Sequence, residues 1–251
     1  MINVYLILAG IIAGLVNSIA GGGAIFLYPI LYSTGLPLLV TNTTIASSIW
    51  EGSLMSAIGY KKYLKTLPRR YLLILIPCLV GALIGATLLK NSSENHLKLI
   101  LPIFIFIAII LIALQPRIHK LLFKRKSKSR RFNVIYITVM LVATLLVSTY
   151  GGYFGAGFGI IMLAVLGLTS IRNIHQLNAL KNLSSLVITF TSSIYFISYG
   201  LIAWRYVLPM AAGTSIGGYL GAKYASNLPD NLIRAGIVII GICSSIYLIL
   251  K

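Results

Sequence analysis

Eight apolar stretches run along the chain, four before its most basic segment and four after it: residues 2–32, 38–60, 71–89 and 97–114, then 132–168, 177–199, 201–224 and 232–250. About 20 helical residues cross the hydrocarbon core of a bilayer, and six of the eight stretches have that length. The first stretch of each half is too long. As one straight helix, residues 2–32 would span about 46 Å and residues 132–168 about 55 Å, against about 30 Å of hydrocarbon. Both carry glycine clusters: Gly21, Gly22 and Gly23 in one, Gly151, Gly152, Gly155, Gly157 and Gly159 in the other. Glycine weakens a helix and frees backbone groups, which at membrane depth must be satisfied by protein or a wet cavity. The pattern therefore predicts an all-α integral membrane protein of about eight segments, with the first segment of each half broken at its glycines. Kinked spans would make the two halves parallel and re-entrant hairpins would make them inverted; the pattern allows both.

Composition agrees. Apolar residues make up 58% of the 251 and charged residues only 10%, whereas soluble domains run near 45–50% and about 25%. The net charge of +18 would suit nucleic acid, but not on a chain this apolar, so no nucleic-acid partner is expected. Most basic residues lie in two connections. One is 61–70 (Lys61, Lys62, Lys65, Arg69, Arg70); the other is 115–131 (Arg117, Lys120, Lys124, Arg125, Lys126, Lys128, Arg130, Arg131). The positive-inside rule places both on the cytoplasmic face of a multi-pass inner-membrane protein. The run from Lys124 to Arg131 is also suited to anionic lipid headgroups. The N-terminal MINVYLILAG has no basic leader region and reads as the start of the first membrane segment. Cys78 and Cys243 lie in apolar runs with no ligand spacing, so neither a disulfide nor a metal site is expected.

The chain repeats itself. Sliding it so that Asn42 meets Asn178 also brings Ser48 onto Ser184, Ser56 onto Ser192, Arg69 onto Arg205, Gly81 onto Gly217 and Gly85 onto Gly221. A two-residue gap upstream aligns Gly21 and Gly23 with Gly155 and Gly157. The halves divide as 1–114 and 132–251, joined by the basic loop 115–131. Duplicated halves with glycine-interrupted segments in corresponding positions point to a transport site where the repeats meet.

Polar residues at membrane depth are the candidates for that site. Thr41, Asn42, Thr43, Thr44, Ser47 and Ser48 follow the first break; Asn178, Lys181, Asn182, Ser184 and Ser185 follow the second. Both clusters lie near helix starts, where free N–H groups favour an anion. Lys181, with no acid near it in sequence, suits a small oxyanion, although it and the Asn and Ser residues could equally hold helices together. The candidate substrate residues are Gly21, Gly22, Gly23, Asn42, Thr43, Ser47, Gly155, Gly157, Asn178, Lys181, Asn182 and Ser185. Glu51 is the one acid well inside an apolar run and is a candidate proton carrier or a structural partner for a lysine; His175 reads as a loop residue. Gly81-x-x-x-Gly85 and Gly217-x-x-x-Gly221 read as close helix packing. GAGFG at 155–159 lacks the preceding strand and following acid of a dinucleotide site. With no triad, metal cluster or acid–base pair, neither an enzyme nor a cofactor is expected.

IAGGGAIFLYPILYSTGLP (19–37) followed by TNTTIASS resembles the TauE/SafE family of sulfite-exporter-like permeases. GGYFGAGFGIIMLAVLGL (151–168) followed by NALKNLSS is similar to that family's second-half signature. The resemblance covers essentially the whole chain and implies about eight membrane segments and transport of sulfite or an organosulfonate. One departure is the basic 61–70 connection, whose counterpart 197–206 is almost uncharged. The resulting expectation is a secondary transporter of a small anion working by alternating access. A passive anion channel and a carrier of a small non-sulfur carboxylate stand as alternatives.

Overall fold

The computed structural model describes residues 2–124, 134–169, 171 and 173–224. Helices account for nearly all of them: α1 (Ile2–Ile19), α2 (Ala24–Tyr32), α3 (Leu38–Ala46), α4 (Trp50–Gly59), α5 (Lys61–Lys65), α6 (Leu75–Lys90), α7 (Glu94–Lys124), α8 (Val134–Tyr153), α9 (Phe158–Leu166), α10 (Ile174–Ser198) and α11 (Trp204–Tyr224), with a 3₁₀ turn over Arg69–Ile74 leading into α6. No strand occurs among the described residues. Residues 225–251, including the last apolar stretch and Cys243, lie outside the described residues, as does most of the Lys124–Arg131 lipid candidate.

Large apolar side chains cover the exterior as well as filling the core. Val4, Tyr5, Leu8 and Ile12 on α1, and Ile76, Leu79, Leu83 and Leu88 on α6, point outward and exposed. Asn17, Ser18, Thr43, Thr44, Ser53, Ser56, Ser184 and Ser192 are buried. An apolar exterior of this extent marks a lipid-facing surface, and small polar residues between helices are how membrane helices pack closely. The spans Ile2–Ile19 and Arg69–Lys90 are each long and apolar enough to cross a bilayer.

Both predicted breaks are present, and each is a tight turn. At the end of α1, Ala20 N and Gly21 N donate to the same Val16 carbonyl (2.7 and 3.1 Å). Gly21, at φ 79°, then turns the chain back. Gly23 ends up against the Ala13 carbonyl and Asn17, with no space for a Cβ. At the end of α8, Phe154 N and Gly155 N share the Tyr150 carbonyl (2.9 and 3.3 Å), and Gly155 and Gly157 have φ of 76° and 74°. A third break, between α3 and α4, falls inside a stretch expected as one helix. There Ser48 N and Ile49 N bond three residues back (3.0 and 3.4 Å), Ser48 Oγ takes the Ile45 carbonyl (2.9 Å), and Thr214 Oγ1 donates to the Ser48 carbonyl (2.5 Å). Serine and threonine hydroxyls that compete for backbone groups loosen a helix in this way.

Glycine contacts give the helix directions. On α1 and α11, Gly10 meets Gly213, Gly217 meets Ile11 and Gly221 meets Leu15, so the two run parallel. On α6 and α8, Gly81 meets Leu145 and Gly85 meets Thr149, again parallel. On α4 and α11, Gly52 meets Thr214 and Gly59 meets Ala222. The ends are marked by contacts too. At one, Gln176 Nε2 donates to Thr66 Oγ1 (2.9 Å) and His175 stacks on Tyr63 (4.8 Å). At the other, Lys90 Nζ lies over the Tyr199 ring (3.5 Å) and Leu38 N donates to Glu94 Oε1 (2.7 Å). Thus α1, α4 and α11 run toward the 61–70 end, α6, α8 and α10 run away from it, and α2 and α9 fold back as hairpin arms.

Two boundaries differ from expectation. The 115–131 connection begins as helix, because α7 continues to Lys124; Lys and Arg are good helix formers, so basic composition alone does not end a helix. His175 belongs to the first turn of α10 and not to a loop, because Asn173 Oδ1 caps that helix by accepting from His175 N (2.9 Å).

Candidate functional site

The two glycine turns meet in the middle of the bundle. A Cβ on Gly21 would overlap the Gly159 Cα, and one on Gly159 would overlap the Gly21 Cα. Gly159 N donates to the Gly21 carbonyl (3.4 Å). Only glycine permits this approach of backbone to backbone.

A helix that stops inside a protein leaves carbonyls unpaired and carries partial negative charge at its C-terminus. Each hairpin meets this need with residues from the other half. At the end of α1, Lys181 Nζ donates to the Asn17 and Ser18 carbonyls (3.0 and 2.8 Å), and Asn182 Nδ2 donates to the Ser18 carbonyl (3.0 Å). At the end of α8, Asn42 Nδ2 donates to the Tyr153 carbonyl (2.8 Å), while Asn42 Oδ1 accepts from Tyr28 OH. One end thus receives a cation and an amide, the other an amide alone. Lys181 is only 1% exposed.

Beside the turns lies a cavity of about 30 Å³, room for about two waters at about 10–15 Å³ each. Asn17, Ser185 and Thr189 form its polar wall; Ile45, Ala46, Ile49, Phe154, Phe158 and Ile188 form an apolar one. Ala24, Gly151 and Gly155 bring both hairpins to its edge. Ser53 Oγ bridges the polar wall, lying 3.0 Å from Ser185 Oγ and accepting from Asn17 Nδ2 (3.5 Å).

Of the candidates from the sequence, Gly155 and Ser185 line this cavity. Gly21, Gly22, Gly23 and Gly157 build the turns, and Asn42, Lys181 and Asn182 hold the helix ends. Thr43 Oγ1 has the Leu39 and Val40 carbonyls (both 3.1 Å) and the Leu201 carbonyl within reach of its single proton. Ser47 is the C-cap residue of α3, and its hydroxyl is buried without a partner. Asn178 is half-buried, with its Oδ1 enclosed and unpartnered. The Asn42 cluster lies a turn inside α3 and not at its free N–H groups; Leu38 N at that terminus is taken by Glu94. Glu51 stands in the first turn of α4 with Oε2 buried and unpartnered, and it does not line the cavity. Asn17, Ser53 and Thr189 complete the polar wall and were not among the candidates. Asn17 offered a signal, since it is an amide four residues before Gly21 in an otherwise apolar run. No cluster of three metal-ligating residues occurs among the described residues.

Comparison with known proteins fits this architecture. The chain is 29% identical over 250 residues to a probable membrane transporter protein, ORF9, of a Sinorhizobium species, covering 98% of this chain and 91% of that one. It is 26% identical over 231 residues to a probable membrane transporter protein of Haemophilus influenzae, covering 92% and 88%. It is 25% identical over 267 residues to the probable membrane transporter protein YunE of Bacillus subtilis, covering 97% of each. No solved structure matches the chain. A family profile described as sulfite exporter TauE/SafE matches residues 6–248, and the chain belongs to that family.

Proposed function

We propose that this membrane protein is a secondary transporter that moves a small anion, sulfite or an organosulfonate, across the inner membrane by alternating access of two inverted repeats. The observation that carries the reading is the meeting of two glycine hairpins, each capped from the other half, at a small polar-walled cavity. Transporters built from inverted repeats place substrate where discontinuous helices from the two halves converge. The helix directions support the inversion, because α1 and its counterpart α8 run oppositely and each packs on the third helix of the other repeat. The orientation follows from charge: Lys61, Lys62, Lys65, Arg69 and Arg70 at one end, with the 115–131 connection, face the cytoplasm.

In this reading the N-terminal ends of α2 and α9, positioned by Gly21, Gly22, Gly23, Gly155 and Gly157, face the anion, and the amides of Phe158, Gly159 and Ile160, bonded to turn carbonyls in the closed form, become donors when the hairpins part. Asn42, Thr43, Ser47, Asn178, Asn182 and Ser185 supply or position hydrogen-bond donors. Lys181 contributes its charge to the break while its donors hold α1. Glu51 is the candidate for proton coupling. A sulfur oxyanion with three or four oxygens exceeds a two-water cavity, so the cavity as it stands is an occluded state that the hairpins must part to load. That requirement favours a carrier over an open channel.

The test is a thermal-shift series on the purified protein with sulfite, sulfate, thiosulfate, sulfoacetate, taurine, acetate and chloride, followed by flux in proteoliposomes. A ligand at about 100 times its Kd stabilises by about 2.7 kcal/mol. Selective stabilisation by one sulfur anion, with saturable flux, is the expected result. A shift with acetate and none with any sulfur anion would replace the substrate class, and ohmic single-channel current would replace the carrier.

A further inference from the structure

We infer that the oxygens at the end of α1 form a seat for a monovalent cation, and that Lys181 fills it as a tethered substitute for a free ion. Lys181 Nζ sits on two backbone carbonyls, of Asn17 at 3.0 Å and Ser18 at 2.8 Å. Two more oxygens are carried by residues of this break, Ser18 Oγ and Asn182 Oδ1, and neither is bonded to the ammonium. Both residues are fully buried, and both of these atoms lack a hydrogen-bond partner. Backbone carbonyls at the negative end of an interrupted helix are the groups with which transporters coordinate a coupling cation, and two unsatisfied side-chain oxygens are on hand to complete the set.

Capping alone does not account for the charge. The end of α8 poses the same problem, and Asn42 solves it with a neutral amide. In the alignment that pairs Asn42 with Asn178, the residue matching Lys181 is Ile45, which lines the cavity. The ammonium is therefore an addition at one hairpin only. A helix C-terminus carries about half a negative charge, so Lys181 when protonated leaves a net positive balance beside the cavity. Of the two acids among the described residues, Glu94 is engaged with Leu38 N at the bundle end and Glu51 Oε2 is unpartnered, while Lys181 donates to backbone carbonyls. The part of the inference that concerns coupling rests on the transporter reading above: the charge a sodium ion would supply is built into the chain.

The experiment uses the full-length protein with Lys181→Ala, measured in detergent by thermal unfolding and in proteoliposomes by anion flux, across chloride salts of sodium, potassium and methylammonium, with N-methylglucamine as the bulky control. Wild type is expected to be indifferent to the cation in both assays. K181A is expected to unfold at lower temperature and to lose flux by about tenfold or more, the equilibrium factor for a charge at a buried helix end. Sodium or methylammonium should restore both, saturably, and N-methylglucamine should restore neither. A folded K181A that no small cation stabilises overturns the seat. If K181A does not fold, wild-type flux decides, since flux that requires sodium overturns the substitution. If wild type carries none of the anions, the transporter reading fails, while cation rescue of K181A unfolding still tests the seat by itself.

Discussion

Gly21 and Gly35 share a left-handed backbone, with φ of 79° and 83°, and differ in what surrounds them. Nothing lies within 4 Å of a Cβ built on Gly35, whereas one on Gly21 would strike the Gly159 backbone. Gly35→Ala should therefore cost only the left-handed penalty of about 1–2 kcal/mol. Gly21→Ala should cost more and also push the hairpins apart, so its melting temperature should fall further and flux should fall with it; equal losses in the two variants would show that the hairpin contact is not tight. Tyr28 makes a second case. Its hydroxyl is the donor to Asn42 Oδ1, and Tyr28→Phe would leave that oxygen buried and unpaired, a cost of about 1–3 kcal/mol. In a double-mutant cycle with Asn42→Leu, unfolding measurements should show coupling of the two changes, and additive losses would refute a shared cap. Polar residues of this kind were legible as candidates, because an Asn or Lys in an apolar run is conspicuous. Their partners were not, because Asn17 and Lys181 are brought together by folding and no local pattern records it.

At the scale of elements, the matched glycine pairs do similar work on two interfaces. Gly85 sits against Thr149 and Tyr153, and Gly217 against Ile11 and Leu15, with no space for a side chain at either. Gly85→Leu and Gly217→Leu should each separate a parallel helix pair, at more than the about 1–3 kcal/mol typical of core overpacking. Both should then elute as aggregates in size-exclusion chromatography, and monodisperse, stable variants would exclude these packings. The glycine spacing was readable because helix contact repeats every four residues, whereas the partner helix was not, since spacing names a face and not its neighbour. The α3–α4 break escaped for a related reason: Ser47 and Ser48 are compatible with a helix, and the Thr214 hydroxyl that takes the Ser48 carbonyl comes from a distant part of the chain.

For the whole molecule, the orientation is open to a direct check. In a Cys243→Ser background, where Cys78 stays buried, Lys65→Cys should react with an impermeant thiol reagent only from the cytoplasmic side and Lys98→Cys only from the opposite side; labelling of both from one side would refute the hairpin topology. The basic connections carry the reading of sidedness and the apolar stretches that of segment number, and the labelling experiment tests the first. The choice between kinked spans and hairpins needed contacts between the halves. The pairing of α1 with α11 has a further consequence in time. A ribosome adds about 5–20 residues per second, so α1 enters the membrane about 10–40 s before the helix that covers its glycine face. Throughout that interval the Gly10 and Gly14 surface meets lipid or a holding factor, and a chain cut before α11 would keep that face of its first helix permanently uncovered. Late truncations should thus be as harmful to the beginning of this protein as to its end.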